Sequence, residues 1–238
     1  PEEQESEVEL GTIEDTDFKV LANIKDLVTH HTAVLGTTGT GKSVFARKLI
    51  KELAKSGNKI FCVDLTGEAK RFLSKLELID NNTSFSIAGK GTKRLGEFIK
   101  QVADDRGSNY GKDQPGIGLL EKGVEGYLKE ELKKFIANTS ENIGIFELPE
   151  LSNTDETLEY TKFFFKALFD LAKEGIFEKQ QACMVLEEAH TLIPEWNSVG
   201  GADEKTSRRL TNTIAQIALQ GRKYNIGLLV IAQRTANV

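Results

Sequence analysis

Thr32-Ala-Val-Leu-Gly36-Thr-Thr-Gly-Thr-Gly-Lys-Ser43 is the stretch on which the reading of this chain turns. Its first residues are apolar and suit a short buried strand. Residues 42 to 56 follow with Phe45, Leu49, Ile50 and Leu53 at helical spacing, and Gly57 ends them as a left-handed C-terminal residue does. Between strand and helix lies the spacing Gly-x-x-x-x-Gly-Lys-Ser. Gly39 and Gly41 let the backbone turn tightly, so that consecutive N–H groups face inward where the helix N-terminus adds its partial positive charge. That is a cradle for phosphate. Gly36, Thr37, Thr38, Gly39, Thr40, Gly41, Lys42 and Ser43 are therefore the candidate nucleotide-binding residues. Lys42 would reach the β- and γ-phosphates, and the Ser43 hydroxyl would ligate Mg²⁺.

Working outward, short apolar runs alternate with longer amphipathic ones, which predicts an α/β fold with a mostly parallel sheet flanked by helices. Strands are expected at 32–36, 59–64, 84–87, 143–147, 182–187 and 226–232. Helices are expected at 42–56, about 68–77, about 154–174 and about 203–220. Residues from about 92 to 140 read as a charged helical insertion, broken by the Gly- and Asp-containing segment from Asp104 to Gly118. Residues 1–29 read as an acidic, partly extended lead-in or linker. Phe18, Val20, Leu21, Ile24, Leu27 and Val28 are its candidates for packing on the edge of the 30–238 core.

A phosphate loop alone does not separate hydrolases from kinases or switches, so a second acidic element matters. Ala182-Cys-Met-Val-Leu-Glu187 ends an apolar strand in a carboxylate, and Glu188 follows it. Successive strand side chains point to opposite sides. Glu187 would then face the metal, and Glu188 would act as general base on an attacking water. The bland reading is an acidic pair at a helix N-terminus.

Composition sets the frame. The 238 residues carry 39% hydrophobic and 28% charged side chains, as a soluble globular chain does, with no apolar run long enough for a membrane span. Cys62 and Cys183 lie inside apolar runs and read as reduced core thiols, which points to a cytoplasmic setting. The net charge of −5 argues at first against a nucleic-acid partner. Nine Asp/Glu against two Lys fall within residues 1–29, however, leaving residues 30–238 with 29 Lys/Arg and 27 Asp/Glu. The only methionine is Met184, so the chain is expected to be a piece of a longer protein.

Four segments together resemble the HerA/FtsK superfamily of P-loop ATPases, most closely its HerA branch. They are the phosphate loop with His30-His31-Thr-Ala-Val-Leu before it; Asp64-Leu-Thr-Gly-Glu68; Leu186-Glu-Glu-Ala-His190; and Gly221-Arg-Lys-Tyr-Asn-Ile-Gly227 through Ala232-Gln-Arg234. The resemblance implies a RecA/ASCE-like sheet, use of ATP and Mg²⁺, a homo-hexameric ring, and ATP-driven movement along double-stranded DNA. A related conjugation or secretion ATPase is an alternative. So is a nucleotide-controlled scaffold that recruits a nuclease or other effector protein.

The resemblance also implies that Asp64 and Glu68 support the metal or water near the γ-phosphate. Read alone, Asp64 could equally end a strand and Glu68 cap a short helix. Gln233 closes a strand with a polar amide that either senses the γ-phosphate or simply meets solvent. Arg222 could reach a neighbouring subunit's phosphate or complement a helix C-terminus. Arg208, Arg209, Lys223 and Arg234 compete for the former role. DNA contacts are expected from Lys90, Lys93, Arg94 and the loop from Trp196 to Lys205. The Lys/Glu alternation from Glu121 to Lys134 reads as a solvated helix face.

Overall fold

The computed structural model describes residues 7–37, 39–64, 73, 84–85, 115–147, 154–187 and 202–232. An N-terminal hairpin, β1 (Glu7–Thr12) with β2 (Lys19–Asn23), leads into the short helix α1 (Ile24–Thr29). Then follow β3 (Thr32–Leu35), α2 (Lys42–Lys55), β4 (Lys59–Asp64), β5 (Ser84–Phe85), α3 (Pro115–Ala137), β6 (Ile143–Glu147), α4 (Thr154–Lys173), β7 (Ala182–Glu187) and α5 (Ala202–Gln220). A 3₁₀ turn (Gly221–Tyr224) and β8 (Ile226–Ala232) complete the described chain. The parallel sheet predicted from the sequence is present, with six strands in the order β3-β8-β7-β4-β6-β5, every pair parallel.

Both faces of this sheet are covered, which is why its strands read as unbroken apolar runs. Alternate residues serve opposite layers. Phe61, Val63, Met184, Leu186 and Leu228 pack with α3, α4 and α5, while Ile60, Cys62, Cys183, Val185 and Leu229 pack with α1 and α2. The first layer is dense in phenylalanine: Phe146 stacks on Phe164 at 4.1 Å, and Phe61 meets Phe135 edge-on at 5.5 Å. The two thiols sit in the second layer, and burial pushes Cys183 up to about 12 and Cys62 upward as well, which leaves them inert.

Details depart from the sequence reading where local chemistry decides. The helix α3 starts at Pro115, inside the segment expected to interrupt it, because proline fits the first turn of a helix, where no N–H partner is needed. Its Lys/Glu side is tied to α4 by Lys129, which lies 3.5 Å from Asp170 and 3.3 Å from Glu174, and by a Lys166–Glu125 pair. In the lead-in, Ile24 and Val28 are buried, but Phe18 and Leu21 are exposed. A two-stranded ribbon has one face to bury, and here Val8 and Leu10 occupy it while the tip extends beyond. Lys48 Nζ of α2 donates to the Leu10 carbonyl at 3.0 Å and anchors this ribbon.

His31, at φ 58°, turns the chain from α1 into β3. Its Nδ1 accepts the Leu228 N–H at 3.0 Å, so this nitrogen carries no proton. Burial lowers its pKa from the usual 6.5, against an opposing backbone hydrogen bond to Ala218; the neighbouring His30 adds to the lowering. Gly227 beside it has no alternative, since a Cβ there would lie 1.7 Å from the Val28 carbonyl oxygen. The folded chain thus binds the His31 proton less tightly than the unfolded chain. Its stabilising contribution is complete above the unfolded value of about 6.5 and is lost as pH falls through the lowered folded value. We expect His31→Asn, which tolerates the left-handed backbone and does not titrate, to show a smaller drop in Tm between pH 7.5 and pH 5 than the unsubstituted protein. Identical pH profiles in thermal melts would remove His31 from this role.

Candidate nucleotide and metal site

The site is assembled by the topology of the sheet. The helix following β3 lies on one face and the helix following β7 on the other, so their carboxyl ends open a crevice of the kind in which α/β sheets bind ligands. The candidate phosphate loop leaves β3 at that end. Gly39 and Gly41 both adopt φ 85°, a region that L side chains rarely enter, and Gly41 is the N-cap residue of α2. Its side-chain-free cap leaves the first N–H groups of the helix without a side-chain acceptor from that residue, as an anion site requires.

Lys42 is the first residue of α2, and its Nζ donates to the Thr37 carbonyl at 2.8 Å, so the ammonium spans the loop. Thr40 Oγ1 donates to the same carbonyl at 2.8 Å and tightens the turn. Ser43 Oγ donates to Glu187 Oε1 at 3.3 Å, joining residues 144 positions apart. A hydroxyl and a carboxylate at this separation are hard oxygen donors of the type that suits Mg²⁺, whose remaining positions go to water and phosphate. The residues present fit that ion.

Asp64 ends β4 as Glu187 ends the adjacent β7, one residue beyond the Val63–Leu186 pair. It is 5% exposed, at the same carboxyl end of the sheet as Glu187. A small cavity lined by Ile50, Cys62, Leu73, Val185, Glu187 and Ile231 lies below. Thr38, Glu68, Glu188 and Gln233 lie outside the described residues, as do His190, Lys90, Lys93, Arg94, Arg234 and residues 196–201 of the expected DNA-contact loop, whose last residues, 202–205, form the first turn of α5 instead. Arg222 is described, and it is not brought to this crevice. It precedes β8 at the amino end, about 20 Å of strand away from the end that carries the loop.

Sequence reasoning missed two positioning groups. Arg47 Nε donates to the Ser43 carbonyl at 3.2 Å, one helical turn on, and its spacing of four residues from Ser43 was the available signal. The Thr37 carbonyl as anchor for Lys42 had none, because side-chain reach within a loop depends on the loop's backbone path.

A family model described as "Helicase HerA, central domain" matches residues 8–229. The chain belongs to this family. It is a HerA-type P-loop ATPase domain, with the family's sheet carrying the phosphate loop and the acidic strand end. Among curated proteins, it is 25% identical to a probable helicase of Methanocaldococcus jannaschii, over 94% of this chain and 52% of that protein. It is 23% identical to the DNA double-strand break repair helicase HerA of Sulfurisphaera tokodaii, over 98% of this chain and 57% of that protein. The HerA-type chain therefore spans about half the length of the curated relatives it matches. Among solved structures, VirB4 of Thermoanaerobacter pseudethanolicus has the same fold, with a TM-score of 0.52 and 16% identity over 98% of this chain and 78% of that one.

Proposed function

We propose that this chain is the ATP-hydrolysing motor core of a HerA-like translocase or helicase, acting as a homo-hexamer in the cytoplasm and moving along double-stranded DNA. The observation that carries the reading is the contact of Ser43 Oγ with Glu187 Oε1, which unites the helix after the phosphate loop with the acidic end of β7. Bound Mg²⁺ would neutralise charge on the β- and γ-phosphate oxygens. The loop N–H groups from Gly36 to Ser43 orient the triphosphate, and Lys42 exchanges its Thr37 contact for phosphate oxygens. Ser43 and Glu187 would hold the metal. Glu188 takes the proton from the attacking water, Gln233 orients that water, and Asp64 and Glu68 keep the acidic floor in place.

Arg222 cannot serve its own loop, because the length of β8 separates them. In a ring it acts on the neighbour's phosphates. We expect Arg222→Ala subunits mixed with unsubstituted ones to depress ATPase activity more steeply than their fraction. A fall in simple proportion would take Arg222 out of a trans role.

Lys90, Lys93, Arg94 and the segment from Trp196 to Lys205 supply phosphate contacts to the duplex, and multiple copies around a ring make the modest charge of the core sufficient. The test is the ATPase rate of the full-length protein with and without duplex DNA. The reading predicts a several-fold rise that is suppressed by added salt. A rate indifferent to duplex DNA at low salt overturns the DNA motor.

A further inference from the structure

Two exposed patches lie on opposite sides of the sheet. The first is on α5. From Thr211 to Gln220 there is no charged residue, and Asn212, Ala215, Gln216, Ala218, Leu219 and Gln220 are exposed, with Leu219 83% so. The outward side of α3, by comparison, carries Lys122, Glu130, Lys133 and Lys134. A solvent-facing helix side without charges is cheap to desolvate, and depletion of charge marks the centres of protein interfaces. At its end this face meets exposed Arg222 and Lys223.

The second patch is the tip of the β1–β2 hairpin. Ile13, Phe18 and Leu21 are 54%, 72% and 53% exposed, and Glu14, Asp15 and Asp17 lie between Ile13 and Phe18 with no basic residue among them. The tip is ordered in advance. The Ile13 N–H donates to the Phe18 carbonyl at 2.9 Å, Thr16 Oγ1 donates to the Ile13 carbonyl at 2.9 Å, and Thr16 Oγ1 accepts from the Phe18 N–H at 3.3 Å. A preformed apolar knob loses little entropy on docking.

We propose that the acidic, apolar-tipped hairpin of one copy of this chain docks head to tail on the uncharged α5 face of a second copy. Charge favours that occupant, since the three tip carboxylates face a receiving patch that ends in the exposed Lys223. Position favours it too. The hairpin packs through Val8 and Leu10 on the α1/α2 side, while α5 packs through Ile214 and Ile217 on the other. Two different patches on opposite sides give a heterologous contact, which repeats around a ring when its rotation closes. The same contact turns Arg222 of one copy toward the side of its neighbour that bears α2 and the phosphate loop. The inference rests on the homo-oligomer reading above and supplies its contact surfaces.

The experiment uses full-length protein with nucleotide and duplex DNA, followed by sedimentation velocity. One variant reverses the tip (Glu14→Lys with Asp17→Lys); the other reverses the receiving face (Gln216→Glu with Lys223→Glu). Each alone should assemble at least tenfold more weakly than the unsubstituted protein. An equimolar mixture should recover assembly, because the reversed tip of one variant matches the reversed face of the other, and the intact tip of the second matches the intact face of the first. Recovery on mixing also shows that both variants are folded. If either variant alone assembles like the unsubstituted protein, the contact is wrong while the oligomer stands. If both are weakened and mixing restores nothing, the patches contact something other than each other, and the proposal falls. If the unsubstituted protein remains monomeric throughout, the oligomer reading falls with it.

Discussion

Replacing Lys42 with alanine reduces nucleotide affinity by about 100-fold or more, the usual consequence of removing one partner from a buried, hydrogen-bonded charge pair. Alanine is the best helix former and Lys42 opens α2, so the helix itself is not weakened. The side chain's contact within the protein is the Thr37 carbonyl, which is exposed and can turn to water instead. Tm should therefore change little while the affinity falls. Titration with a fluorescent nucleotide, run beside a thermal melt, separates the two quantities. An affinity within threefold of the unsubstituted protein would mean that the ammonium does not reach phosphate.

Substituting Glu188 with glutamine leaves ATP bound and lowers turnover by about 10² to 10⁴, the range over which a positioned general base contributes. Glutamine keeps the size and hydrogen-bonding capacity of the side chain and removes only its ability to take a proton. The adjacent Glu187→Gln is expected to behave differently. It touches Ser43 Oγ at 3.3 Å, so its loss weakens the metal position and raises the Mg²⁺ concentration needed for half-maximal rate. Steady-state rates measured across a Mg²⁺ titration distinguish a base defect, which added metal does not repair, from a metal defect, which it partly does. A Glu188→Gln protein that hydrolyses ATP at the unsubstituted rate would remove Glu188 as the base.

Much of this molecule was legible before folding because its signals are local. A strand buried on both faces is apolar along nearly its whole length, so 59–64, 182–187 and 226–232 announce themselves with their limits intact, charged residues standing only at strand ends. The loop from Gly36 to Ser43 is equally local, since its glycines are demanded by a backbone path contained within eight residues. Local periodicity also explains the partial miss in the lead-in. The apolar residues of 18–28 are consistent with packing, but whether Phe18 faces the core or open solvent depends on how far the ribbon overhangs α2.

The sequence by itself determined that an apolar strand, a phosphate loop and a helix follow one another, and that a second apolar strand ends in carboxylates. Each of those facts depends on neighbours a few residues apart. Only the tertiary structure decided that Ser43 meets Glu187, that Asp64 stands beside it, and that Arg222 lies at the far end of β8 from its own loop. Strand order produces all three. Parallel strands align their carboxyl ends whatever their spacing along the chain, so the order β3-β8-β7-β4 gathers residues more than a hundred positions apart into one crevice. The turn before β8 is left at the opposite, amino end of the sheet.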